Sequence, residues 1–303
     1  MRRVALGCLL AVGALNGPQE REHAQHPRGY VAYRAASAIA VDGRLAEGAW
    51  LSADWTEPFV DIEGDVRPKP AYLTRVKMAW DESNFYIGAL LAEPHLWATL
   101  KEHDSVIFRD NDFEVFIDPN GDNHEYYELE INALGTTWDL LLPKPYKDDG
   151  KAVNGWEIAG MKAAVNLDGT LNNPSDVDRG WTVEIALPWK ALGELARRPS
   201  PPKDGDQWRV NFSRVQWQLD VINGAYRKRS GFAAEQSEGQ RWHAALQGRR
   251  LRTHTDVGTQ TLPTTIAVPA TVRRRNRSRR RFRAPVLHGR PASPPSAQAR
   301  PSE

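Results

Sequence analysis

Carboxylates, amides and aromatic rings recur at alternate positions in three short stretches of this 303-residue chain. In Asp112–Asp118 (DFEVFID), Phe113, Val115 and Ile117 form an apolar set, so Asp112, Glu114 and Phe116 face the other way. In 126–133, Tyr127, Leu129 and Ile131 leave Glu128, Glu130 and Asn132 opposite; in 208–214, Trp208, Val210 and Phe212 leave Arg209, Asn211 and Ser213. Carboxylates, amides and an arginine on one face suit bidentate hydrogen bonds to vicinal hydroxyls, and rings suit the apolar side of a pyranose. The same pattern also describes a sheet face turned to water.

Other chemistry-bearing residues narrow the choice. Glu128 and Glu130 lie two residues apart, and an alternative reading pairs them as the two carboxylates of a glycoside-active enzyme. No G-x-S-x-G, H-E-x-x-H or P-loop accompanies them. The three methionines include Met78 in core phase, which leaves a haem with little choice of axial ligand. His95, His103 and His124 are not spaced as a metal set and read as surface or loop residues. In the turn Asp118-Pro119-Asn120-Gly121-Asp122, the side chains of Asp118, Asn120 and Asp122 offer calcium ligands, although the same residues suit a tight turn for backbone reasons. Among 11 tryptophans, Trp80, Trp181 and Trp208 fall in core phase, while Trp97 and Trp138 are either exposed platforms or plugs at the end of the fold.

The elements that must position these residues are strands. From Ile39 to about Trp217 the chain alternates with period two between Gly, Pro, Asn and Asp punctuation. Strands are expected at 74–80, 85–90, 112–118, 125–133, 136–142, 159–167, 181–187 and 207–217, with one short helix at 189–196. Many strands without long helices between them predict an all-β, antiparallel sandwich of jelly-roll type with one or two short helices.

The ends differ from this body. Arg2 and Arg3, the apolar run Val4 to Leu15 and then Gly17-Pro18 read as a signal peptide over 1–18, and hence as export to the cell envelope or beyond. Residues 19–37 read as a linker and 38–230 as the sandwich. After Ser230 alternation stops; residues 241–303 hold 14 arginines, no lysine and two acids, and 231–303 is expected to be disordered. Such a tail is either the product of a frame shift near Ser230 or a polybasic arm for nucleic acid or anionic surfaces. Cys8 is alone, so no internal disulfide or thiolate cluster is available, and no apolar run is long enough to span a bilayer.

Three motifs in order, IAVDGRLAEGAW at 39–50, VKMAWDESNFYIGALLAEPH at 76–95 and DNDFEVFIDPNGDNHEYYELEINA at 110–133, resemble the family 9 carbohydrate-binding modules and their DOMON-like relatives. The resemblance covers about residues 30–230. It implies a noncatalytic β-sandwich that binds plant-type polysaccharides or oligosaccharides, often with structural calcium but with no required cofactor, and a monomer is expected. By the same resemblance Glu114 falls where the family has a sugar-bonding glutamate, Phe108 where a branch of it has a stacking tryptophan, and Asn132 on a strand asparagine of the motif. Glu130 replaces a sugar-bonding arginine. Arg214 and Trp217 are further candidates, and a second aromatic platform and the closing strand are expected to be missing.

Overall fold

The computed structural model describes residues 28–61, 68–203, 206–229 and 258–267. The export signal expected at 1–18 lies outside the described residues.

Strands β1 (Arg28–Val31), β2 (Tyr33–Arg34) and β3 (Val60–Asp61) flank a short helix α1 (Gly48–Ser52). The body follows as β4 (Thr74–Trp80), β5 (Asn84–Ala92), β6 (Asp112–Asp118), β7 (Tyr126–Asn132), β8 (Thr137–Leu142), β9 (Lys162–Asp168) and β10 (Gly180–Pro188). After the single-turn helix α2 (Trp189–Leu192) come β11 (Gln207–Gln216), β12 (Leu219–Ile222), β13 (Ala225–Lys228) and β14 (Gly258–Ala267). The eight strands expected from alternation are all present, most of them within one or two residues of their expected ends.

Seven strands form one sheet in the order β1-β14-β11-β6-β7-β8, with β3 also paired to β14; a five-stranded sheet runs β2-β4-β5-β10-β9. Val76, Met78, Ile87 and Leu91 of the second sheet pack into one core with Phe113, Val115, Leu129, Ile131 and Phe212 of the first. This is the expected sandwich, with Met78 as packing at 1% exposure. The pairing is antiparallel except where β1 joins β14 and β2 joins β4 in parallel.

Two expectations about the ends are corrected. The segment read as a linker contains β1 and β2, because Tyr30 and Ala32 alternate inward and Tyr30 Oη donates to the Asp54 carbonyl at 2.6 Å. The tail supplies β14, which pairs with β11 along its full length, so a strand stands where none was expected. Arginines dominate the composition there, yet 257–268 (VGTQTLPTTIAV) is uncharged and rich in β-branched residues suited to a strand. Pro263 falls between the stretches of β14 that pair with β3 and with β1, where a missing N–H costs no ladder bond on that side.

The outer face of the five-stranded sheet is sealed by the N-terminal segment. Glu184 on β10 accepts hydrogen bonds from the Asp42 and Gly43 N–H groups at 2.8 and 2.7 Å and from Trp50 Nε1 at 2.5 Å. Trp50 is wholly buried there with Ala79, Tyr86 and Ala186.

Candidate functional site

The polar faces of β11, β6, β7 and β8 lie side by side and fall into rows. One row runs Ser213, Glu114, Glu130, Trp138; a second runs Asn211, Phe116, Glu128, Leu140; a third pairs Val215, Asp112 and Asn132. Alternation therefore assembles the carboxylates as the sequence predicts, but this face does not meet water. Asp112, Glu114, Glu128 and Glu130 are each 2% exposed or less.

A second apolar layer covers them. Ile107 from the 3₁₀ turn Ile107–Arg109 packs with Phe116, Tyr126, Trp138, Leu140, Leu142 and Val215, and Phe108, Tyr146 and Trp217 join this cluster half-buried. The roof is pinned at defined points: the Phe108 N–H donates to Glu130 at 2.8 Å, and Trp217 Nε1 donates to the Phe108 carbonyl at 2.9 Å.

The covered groups are incompletely satisfied. One carboxyl oxygen each of Asp112 and Glu128 and the Trp138 indole N–H have no hydrogen-bond partner, and the Glu114 carboxyl finds only the Ser213 hydroxyl beside it. Each such orphan costs roughly 1–3 kcal/mol relative to a satisfied group. Burial, with the neighbouring carboxylates adding to it, pushes Asp112, Glu114 and Glu130 well above the ordinary carboxyl range. Glu128 is pushed up by burial to about 8 and hydrogen-bonds to Glu130, which requires one of the two to hold a proton. The face is a cluster of protonatable acids beside an unused donor, a set that a polyhydroxylated ligand can match because a hydroxyl both donates and accepts.

The predicted site residues divide on this geometry. Glu114, Glu130, Trp138, Phe108 and Trp217 converge on the covered face. Trp97 and Trp138 are both 8% exposed, so neither is an exposed platform: Trp138 lies under the roof with Ile107 and Phe116, and Lys228 Nζ lies over the Trp97 ring at 5.7 Å. Asn132 is spent on structure: its Nδ2 donates to the Leu100 carbonyl at 2.8 Å and to Asp110 at 3.1 Å, and its Oδ1 accepts from Leu134 and Thr136. Arg214 is in phase with Phe212, points between the sheets, and pairs with Glu93 at 2.6 Å, so no part of it reaches this face. Trp217 carries Lys228 Nζ over its ring at 3.7 Å.

In the turn after β6, Asp118 accepts from the Gly121 and Asn123 N–H groups, and Asn120 donates to Asp122 at 2.8 Å. These side chains perform the backbone task of the turn. Glu128 and Glu130, closed over and bonded to each other, do not present the separated acid and base of a glycosidase. Sequence reasoning missed Tyr146, whose hydroxyl is raised by burial and by Glu128, Glu130 and Glu114; no alternation marks a residue in a loop turn.

Endo-1,4-beta-xylanase A of Thermotoga neapolitana is 28% identical over 167 residues, which are 52% of this chain and only 13% of that enzyme. A putative carbohydrate-binding protein from Bacteroides uniformis shares the fold with a TM-score of 0.50 at 15% identity, covering 80% of this chain and all of that one. A family 9 carbohydrate-binding module from Caldicellulosiruptor kristjanssonii, solved with cellotriose, aligns at a TM-score of 0.46 and 13% identity over 80% of this chain and 94% of that one. The sequence pattern described as carbohydrate family 9 binding domain-like matches residues 41–212, more than half of the chain, and the protein belongs to that family.

Proposed function

We propose that this protein is a noncatalytic module that binds β-linked polysaccharide or oligosaccharide of the cellulose or xylan class on the outer face of the seven-stranded sheet. One observation carries the reading: Glu114 brings a fully buried carboxyl group, hydrogen-bonded to the Ser213 hydroxyl beside it, to the same row as the unpartnered Trp138 indole, beneath the half-buried ring of Phe108. Sugar hydroxyls are the complement of that row, and Phe108 with Trp217 supplies rings for a pyranose face. Because Glu114 is fully buried, binding requires the 3₁₀ turn carrying Phe108 to move aside, so a slow phase of association is expected. Membership of a binding-module family supports the noncatalytic reading, and the arginine-led apolar start of the chain supports a place outside the cytoplasm.

The test is a tryptophan-fluorescence titration of the protein with cello-, xylo- and manno-oligosaccharides, repeated on Glu114→Gln. Saturable quenching by one series, weakened severalfold in the variant, is the expected result, since a lost hydrogen bond to a neutral group is worth about 0.5–1.5 kcal/mol. A flat response to all three series from folded protein would overturn the reading.

A further inference from the structure

A second cluster of ligating side chains lies away from the carboxylate face, at the outer edge of the sheet beside β8, and the carbohydrate reading makes no use of it. His103 and Asp104 from the β5–β6 connection, Asp139 from β8 and Glu157 from the β8–β9 connection converge with one donor atom each within 4.8 Å of the others. Such convergence of residues up to 54 positions apart is a product of the fold, not of a local turn.

The histidine is oriented. Its Nδ1 lies 2.9 Å from the Thr137 carbonyl, an acceptor only, so Nδ1 carries the proton and donates it there. The Asp104 N–H donates to the same carbonyl at 3.1 Å, fixing the loop to β8. Nε2 is thereby aimed at Glu157 Oε2 at 3.1 Å, Asp104 Oδ1 at 3.3 Å and Asp139 Oδ1 at 3.8 Å. A ring fixed through Nδ1 by a main-chain carbonyl, with Nε2 turned to carboxylates, is the outer-shell arrangement of a metal-ligating histidine.

An independent observation comes from Asp139. It is 1% exposed; one carboxyl oxygen accepts from the Ile158 N–H, while the other, the oxygen turned to the cluster, is buried without a hydrogen-bond partner. The other three residues are open to solvent on one side, at 48%, 36% and 53% exposure, which leaves an entry path.

We propose that His103, Asp104, Asp139 and Glu157 bind one divalent transition-metal ion of the zinc class. One imidazole nitrogen with three carboxylate oxygens is a borderline donor set. Metal–donor bonds of about 2.0–2.1 Å place the corners of a tetrahedron about 3.3 Å apart, and the three separations from Nε2 bracket that edge. Calcium, which takes six to eight oxygens at longer distance, fits this four-donor set poorly. The ion would tie both connections to the edge of β8, and the proposal does not depend on what the carboxylate face binds.

The experiment uses the full chain after chelator dialysis, titrated with Zn2+ by calorimetry and with Co2+ by visible absorption, beside His103→Ala and Glu157→Gln. Both substituted residues are exposed, and unchanged circular dichroism verifies the fold. One equivalent of Zn2+ bound with a Kd below about 10 μM, an intense tetrahedral Co2+ band, and at least a tenfold loss in each variant are expected. No saturable Zn2+ or Co2+ binding below about 100 μM, retention of binding in His103→Ala, or a response to Ca2+ alone would each overturn the proposal, leaving the cluster as an imidazolium held by carboxylates.

Discussion

The Arg214 guanidinium lies 2.6 Å from the Glu93 carboxylate with both side chains almost wholly removed from water, and the pair bridges the two sheets. Arg214 also donates to Thr74 Oγ1 and the Ala92 carbonyl, while Glu93 accepts from the His95 N–H. Burial pulls both groups toward their neutral forms: Glu93 is raised despite its partner, and Arg214 is lowered. Removing one partner strands the other, so Arg214→Met should cost about 3–5 kcal/mol in urea unfolding, whereas Arg214→Met with Glu93→Leu should recover much of that loss. A double variant as damaged as the single one would show that the pair is worth more than an apolar replacement.

The acids of the covered face set a pH dependence with an unusual direction. Their folded-state values lie above the unfolded ones, so between the two the folded state binds more protons and stability falls as pH rises. For Glu128 the window runs from about 4.5, its ordinary value, to about 8. Chemical denaturation should therefore find the protein more stable at pH 5 than at pH 8, and Glu128→Gln should flatten the slope and raise stability at pH 8 by on the order of 1–2 kcal/mol. A stability maximum near pH 8 in the parent would contradict this account.

Alternation made the strands legible, and with them which residues share a face with Glu114; Asp112–Asp118 was read to the residue. What covers a face is not a property of alternation. The roof over Trp138 and Glu130 comes from the Ile107–Arg109 turn, from Tyr146 and from Trp217, none of which shares a strand with the residues beneath. Asn132 was legible as a polar strand residue, but its partners Leu100 and Asp110 lie 32 and 22 positions away, so its structural duty was not. Arg214 failed for a related reason: its phase already placed it with Phe212, yet its charge suggested the opposite face.

Gly43 occupies a conformation and a space that only glycine fills. Its φ is +85°, and a Cβ there would lie 2.5 Å from the Val165 carbonyl carbon, a backbone atom that cannot step aside. Its N–H is one of the donors to Glu184, so displacement would also loosen Asp42 and Trp50. Gly43→Ala should destabilise by about 3 kcal/mol or more. Glu184→Ala should cost about 2–4 kcal/mol by orphaning three donors. Because both substitutions loosen one assembly, their double variant should lose less than the sum, and strict additivity in thermal unfolding would refute the shared origin.

Strand β14 lies between β11 and β1, so a chain ending at residue 257 exposes the β11 edge and leaves β1 without its only partner in the sheet order. That truncation should lower the unfolding midpoint sharply and promote association through the bared edge, visible by light scattering. A second truncation ending at residue 272 retains β14 and should keep the stability of the full chain. Equal stability of all three proteins would mean that β14 adds nothing to the sheet.

Glu114 and Asn132 should respond to substitution with opposite signs, and this contrast separates a binding residue from a structural one. Asn132 satisfies four hydrogen bonds that hold the loop at Leu100 and the turn at Thr136. Asn132→Ala should therefore cost about 2–4 kcal/mol of stability, with any loss of oligosaccharide affinity following from a displaced roof. Glu114 holds no loop or turn: its one side-chain hydrogen-bond partner is the neighbouring Ser213 hydroxyl on β11. Replacing it with glutamine removes an acid that resists ionisation in this place, so Glu114→Gln should leave stability at pH 8 unchanged or raised by on the order of 1 kcal/mol while it weakens the sugar. A buried acid that strains the free protein and serves the ligand is the signature of a site maintained for binding at a cost in stability. Urea unfolding of both variants, set beside their oligosaccharide titrations, reads the two signs directly; a Glu114→Gln protein destabilised as strongly as Asn132→Ala would assign Glu114 to the scaffold.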